Sequence, residues 1–139
     1  MLSAANLKAI ARARLADAEA LLSAGRFDGS AYLCGYVVEL ALKARLCRTL
    51  KWPGFPENHN EFQGLQTFKT DDLDILLRLS GREQYIKVNM FSDWTVVSQW
   101  TWPIGTDSFR GEGALQSLRS LSSRGRTRRL GSGGSGQVD

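Results

Sequence analysis

The sequence is poor in the side chains that build most catalytic and metal sites. It holds one histidine, His59, and two cysteines, Cys34 and Cys47. A lone histidine cannot give paired-His spacing, and no HExxH run exists. Two well-separated cysteines make neither a metal knuckle nor a disulfide framework. They are expected to stay reduced and to pack as small apolar groups. Neither a metal nor a cofactor is therefore expected. Long apolar runs are also missing. The stretch Tyr36–Leu42 is interrupted by Glu39 and is far short of a membrane span. Lys8, Arg12, Arg14, Asp17 and Glu19 break up the first segment, which argues against a secretory signal. A cytoplasmic protein with no membrane contact is the expectation.

What is present suits one globular domain. The chain has 139 residues, 42% of them hydrophobic, enough for one modest core. Its net charge of +4 is of the sign that suits nucleic acid, but the charge is unevenly placed. Of 18 basic and 14 acidic residues, six and two lie beyond residue 109, which leaves 12 of each before it. The excess sits in the Arg-, Gly- and Ser-rich end of the chain. The division drawn is a bundle over residues 1–102 and an irregular, largely disordered tail over 103–139.

Helical periodicity accounts for the first part. Leu7, Ile10, Ala11, Leu15, Ala18, Leu21 and Leu22 line one face of a helix over residues 3–24, with Gly25 as its stop. A second helix over 28–50 is expected to begin on an Asp28 cap, with Phe27 and Tyr32 as a hydrophobic staple. Its inner stripe is Leu33, Tyr36, Val37, Leu40, Ala44 and Cys47. Trp52-Pro53-Gly54 ends it. Residues 52–69 read as a loop with a short helical turn. Thr70 is the expected cap of a third helix near 71–80, with Asp71, Asp72 and Asp74 in its first turn. A fourth runs over 83–101, with Ile86, Met90, Trp94 and Val97 on one face and Phe91 alongside. The short link between the first two helices predicts an antiparallel hairpin. The fold class is all-α, an up-and-down bundle of four helices.

Three segments resemble the HEPN family. Ala31–Leu46 is similar to its second helix, with a Glu-x-x-Leu-Lys-x-x-Leu pattern on Glu39, Leu42, Lys43 and Leu46. Phe68–Leu77 resembles its Thr-His-Asp-Leu helix start, with Asp71 where relatives often carry His. Asp93–Trp100 is the third match. The resemblance covers about residues 5–100. It implies an up-and-down bundle, often a homodimer, with roles in RNA cleavage, in toxin–antitoxin pairs or beside a nucleotidyltransferase partner. The Arg-x4-6-His pattern of HEPN ribonucleases is absent, and so are the Arg-Tyr pair and final helix expected after Trp100. A reading-frame shift near Trp102 would account for that loss, because Pro103–Phe109 can be encoded so that the shifted frame reads Asp-Arg-Tyr-Arg-Phe. A divergent tail is the alternative.

Each candidate residue has a plain structural reading beside a functional one. Glu39 and Lys43 are a favourable i,i+4 pair, and the functional reading of Glu39, a carboxylate in an apolar helix, is a place in a dimer or RNA-facing groove. Asp71 heads an acidic run that also suits a helix dipole. His59 lies in a polar loop, where a solvated histidine is commoner than a general base. Trp94, Trp100 and Trp102 suit packing better than base stacking. Arg124, Arg126, Arg128 and Arg129 could hold RNA phosphates without sequence preference. The resulting expectation is a non-catalytic HEPN-like module acting by dimerisation or by partner or RNA-associated binding. A divergent metal-independent ribonuclease is the competing one.

Overall fold

A computed structural model of the chain describes residues 1–99, together with Gln116 and Arg119. The expectations for Trp100, Trp102, Arg124, Arg126, Arg128, Arg129, the frame shift and the tail apart from Gln116 and Arg119 lie outside the described residues. Those described form five α-helices: α1 (Ala4–Ser23), α2 (Phe27–Thr49), α3 (Leu73–Leu79), α4 (Glu83–Asn89) and α5 (Phe91–Val97). A 3-10 turn at Gln66–Phe68 lies in the long connection. No described helix is long and apolar enough to cross a membrane.

α1 starts on Ser3, whose hydroxyl accepts from the Asn6 N–H at 3.1 Å. It ends in a Schellman turn. Gly25 takes φ +74°, while Arg26 N–H donates to Leu21 and Gly25 N–H to Leu22. The chain enters α2 directly from that turn. This corrects the expected Asp28 cap: the helix begins at Phe27, Arg26 is its cap without a side-chain bond, and Asp28 sits inside the first turn. Phe27 and Tyr32 are both exposed, so no buried staple forms.

α1 and α2 pack as the expected hairpin. Small residues let the backbones approach: Ala18, Ser30, Ala31 and Cys34 are sealed between them. Ser30 donates its hydroxyl to the Ala18 carbonyl at 2.8 Å, which fixes the crossing. α2 is the central rod, buried on more than one face. Its core residues include Cys34, Val37, Val38, Leu40, Ala44, Leu46 and Cys47, while Leu33 and Tyr36 of the expected stripe are half-buried. The stop at its C-terminus is Lys51, at φ +56°, with Trp52 N–H donating to Cys47 at 2.8 Å. It lies just before the Trp-Pro-Gly run. α2 is joined to α3 by the Thr49 hydroxyl, which donates to the Ser80 carbonyl at 2.9 Å.

The long connection folds back onto the N-terminus. Leu2 and Phe55 exchange two backbone bonds, 2.9 and 2.7 Å. Gly54 makes this approach possible, because a β-carbon there would come within 2.7 Å of the Leu2 carbonyl oxygen. The aromatic rings follow, Trp52 edge-on to Phe68 at 4.9 Å and Phe55 to Phe62 at 6.0 Å.

The third cap is also corrected. Asp72 caps α3, accepting from Asp74 and Ile75 N–H at 3.0 and 3.1 Å, and Thr70 accepts from the Asp72 N–H. The single fourth helix is two. At Met90 the backbone turns to φ −139°, ψ 33°, and separates α4 from α5. The apolar spacing survives the bend: Met90, Trp94 and Val97 are buried and Ile86 half-buried. The bend leaves Val88 and Phe91 exposed. Trp94 is anchored to α3, its indole N–H donating to Asp74 at 3.2 Å.

Candidate functional site

Two concavities flank α2. The first is a cleft of about 530 Å3 between α2 and the long connection. Tyr36, Glu39, Leu40 and Lys43 form one wall, which follows from their spacing of three and four along a helix. Phe55, Phe62 and Phe68 form the opposite side, and Lys69, Thr70 and Asp71 close the rim.

Glu39 is the buried carboxylate of the cleft, 8% exposed. It accepts a bond from the Lys43 ammonium at 2.5 Å. Lys43 also lies 5.3 Å from the centre of the Phe55 ring. The pair is therefore satisfied from inside the domain. Asp71 lines the same cleft at its exposed edge. Three of the four candidates thus meet, brought together by the fold-back of the long connection.

His59 does not join them. It is exposed, in a turn organised by its neighbours and outside the cleft lining. Glu61 accepts from the Glu57 N–H at 2.8 Å, and the Met1 amine lies 2.6 Å from Glu57 and 3.1 Å from Glu61. The Glu57 N–H, then the Met1 amine, hold the Glu61 carboxyl below its ordinary range. Asp72 and Asp74 are occupied as cap and as acceptor for Trp94, and no group of metal-ligating side chains stands together among the described residues. Trp94 is buried and offers no face for a base. Cys34 and Cys47 are free and buried, and burial pushes the Cys34 thiol up to about 11.

A model of the HEPN domain matches residues 4–81, more than half of the chain. The chain belongs to the HEPN family. No curated protein and no solved structure matches it. The match covers α1, α2, the long connection and α3, so the cleft, Leu2 apart, is built from HEPN-domain residues.

The second concavity is a groove of about 360 Å3 on the other side of the HEPN domain's α2. Its floor includes Ala11, Leu15, Val38, Leu42, Leu77 and Trp94. Four cations stand around it: Lys8, Arg12, Arg45 and Arg82. None of its described lining residues is acidic. Arg45 is the least comfortable of them. Its Nε is sealed from water without a hydrogen-bond partner. Burial, then the neighbouring Arg82 and Arg48, lower its affinity for its proton. Sequence reasoning missed this groove. The signal was available in Lys8 and Arg12, which interrupt the flank of the α1 stripe one turn apart. Their convergence with Arg45 and Arg82 depends on how three helices pack.

Proposed function

We propose that this HEPN protein is a binding module that does not cut RNA by itself. It works by dimerising or by holding a partner or RNA-associated complex, in a paired system of the toxin–antitoxin or nucleotidyltransferase kind. Support comes from the way its reactive side chains are spent. General acid–base chemistry needs a group free to exchange a proton, placed within reach of the reacting atom. Glu39 is committed to Lys43, Asp71 sits at the exposed rim, and His59 lies outside the cleft. The Arg-x4-6-His pattern that serves HEPN ribonucleases has no counterpart in the sequence.

The test is incubation of the full chain with a labelled single-stranded RNA, beside His59→Ala and Glu39→Gln. No cleavage above buffer is expected for any of the three. Cleavage by the parent chain that is lost in either variant would overturn the reading and favour the ribonuclease alternative.

A further inference from the structure

The groove on the far side of α2 is the wrong shape for a self-sufficient surface. Two antiparallel helices present parallel ridges there. On α1, Lys8, Ala11, Arg12 and Leu15 follow the i, i+3, i+4, i+7 spacing of one helix face. On α2, Val38, Leu42 and Arg45 run alongside. A valley between two helical ridges is the surface into which a third helix packs, ridges into grooves. The stripe on α1 spans about 10 Å, at roughly 1.5 Å per residue, which accommodates about two turns of a guest helix.

The charge of the rim says what the guest carries. Four cations surround an apolar floor, and no described lining residue is an acid. Arg12 and Lys8 are exposed. We propose that the groove receives an acidic amphipathic helix from a partner protein, with leucine-like side chains on the floor and glutamates or aspartates against Lys8, Arg12, Arg45 and Arg82. This deepens the binding-module reading and rests on it.

Other occupants fit less well. The chain's own C-terminal part carries six arginines against Glu112 and Asp139 beyond residue 109, so its charge has the same sign as the rim. Its one described ion pair to the bundle, Arg119 with Glu19 at 3.0 Å, falls on α1 one turn beyond Leu15, past the groove's described lining. A second copy meeting groove to groove would place cations against cations. RNA would find phosphate partners at the rim, but it would have to lie on an apolar floor.

The test uses the full chain and a fluorescent model helix about four turns long, with leucines at i, i+3, i+4 and i+7 and glutamates on both flanks. A twin carries lysines in place of the glutamates. Anisotropy should show binding of the acidic helix, weaker at high salt, and little binding of the twin. Lys8→Glu with Arg12→Glu should weaken the acidic helix by about tenfold and strengthen the twin. Should that double reversal fail to fold, Arg12→Gln alone should still cost affinity for the acidic helix only. No binding of the acidic helix, or equal binding of both peptides, overturns the proposal. So does any of three reassignments. Leu115→Ser, Leu118→Ser and Leu121→Ser together raising peptide affinity would give the groove to the chain's own end. Self-association lost in the double reversal gives it to a second copy. RNA binding lost in the same variant, with no peptide binding, gives it to RNA. The ribonuclease assay is independent of these. An inert chain that ignores the peptide loses this inference and keeps the binding-module reading. A chain that cuts RNA and still holds the peptide loses that reading and keeps the groove.

Discussion

The two sides of α2 handle buried charge in opposite ways. On the cleft side Lys43 meets Glu39 and the Phe55 ring, so the cation has both a counter-ion and an aromatic neighbour. On the groove side Arg45 stands near Arg82 and Arg48, with its Nε unpartnered. A charge removed from water is tolerated when its lost hydration is replaced, and is a liability when it is not. The cleft is therefore finished from within the domain. Among the described residues nothing lining the groove supplies negative charge, which is what the proposed acidic helix would bring. That asymmetry, carried by residues two positions apart on one helix, separates a structural ion pair from a binding surface.

The largest effect should come from breaking the finished side. Lys43→Met keeps much of the stem's packing but leaves Glu39 buried without its cation. Removing one partner of a buried pair costs about 3–5 kcal/mol when burial is complete. Side-chain exposures of 19% for Lys43 and 11% for Glu39 let solvent screen some of that, so about 2–3 kcal/mol is expected in urea unfolding. Adding Glu39→Leu should recover most of the loss. A loss under about 0.5 kcal/mol would show that the pair is dispensable.

A somewhat smaller effect is expected at Gly54, where the cleft's outer wall closes on the N-terminus. An alanine β-carbon would meet the Leu2 carbonyl oxygen at 2.7 Å and the Leu2 carbonyl carbon at 2.9 Å, both backbone atoms. Backbone cannot swing aside as a side-chain tip can, so the Leu2–Phe55 pairing must open. Gly54→Ala should cost about 1–3 kcal/mol, in the range of overpacked sites. Hydrogen exchange at the Leu2 and Phe55 amides should rise first. Unchanged exchange there would mean that the pairing does not depend on glycine.

The sequence carried the two long helices well, because α1 and α2 are set by apolar spacing and Gly25 stops the first, all local features. It carried Glu39 and Lys43 for the same reason: an i,i+4 pair is visible in one turn. It failed where tertiary contact decides. The bend at Met90 keeps Ile86, Met90, Trp94 and Val97 turned inward and, of the residues expected there, puts only Phe91 outside, so periodicity alone could not reveal it. Asp72 takes the cap expected of Thr70 because several good capping residues stand in a row, and only the path of the connection selects among them. Asp28 loses its capping role because the Schellman turn delivers the chain into α2 with Arg26 as cap, two residues early. His59 and Asp71 looked equally polar in sequence, yet the fold-back of the long connection brings Asp71 to the cleft and leaves His59 outside. The groove was the least legible feature, since it joins Lys8 and Arg12 to Arg45 and Arg82 across three elements.

The smallest effect should have the opposite sign, and it tests the comparison directly. Arg45→Met removes the cation on the unfinished side while its methylene-rich stem keeps covering Leu42 and its neighbours in the groove. Three things change with the charge. The sealed Nε no longer lacks an acceptor, which relieves a penalty of about 1 kcal/mol or more for an unmet buried donor. Repulsion from Arg82 and Arg48 disappears, a small gain at a site open to solvent ions. Against these stands the loss of whatever hydration the rest of the guanidinium keeps, since the side chain is only partly buried. The balance favours the variant by about 0.5–1 kcal/mol, in the free chain and without partner. The same change should weaken the acidic model helix, because it removes one of its four counter-charges. Lys43→Met and Arg45→Met thus delete a positive charge from the same turn of α2 and should move stability in opposite directions. If both destabilise to a similar degree in urea unfolding, the two sides of α2 do not differ as described, and Arg45 has a counter-charge of its own.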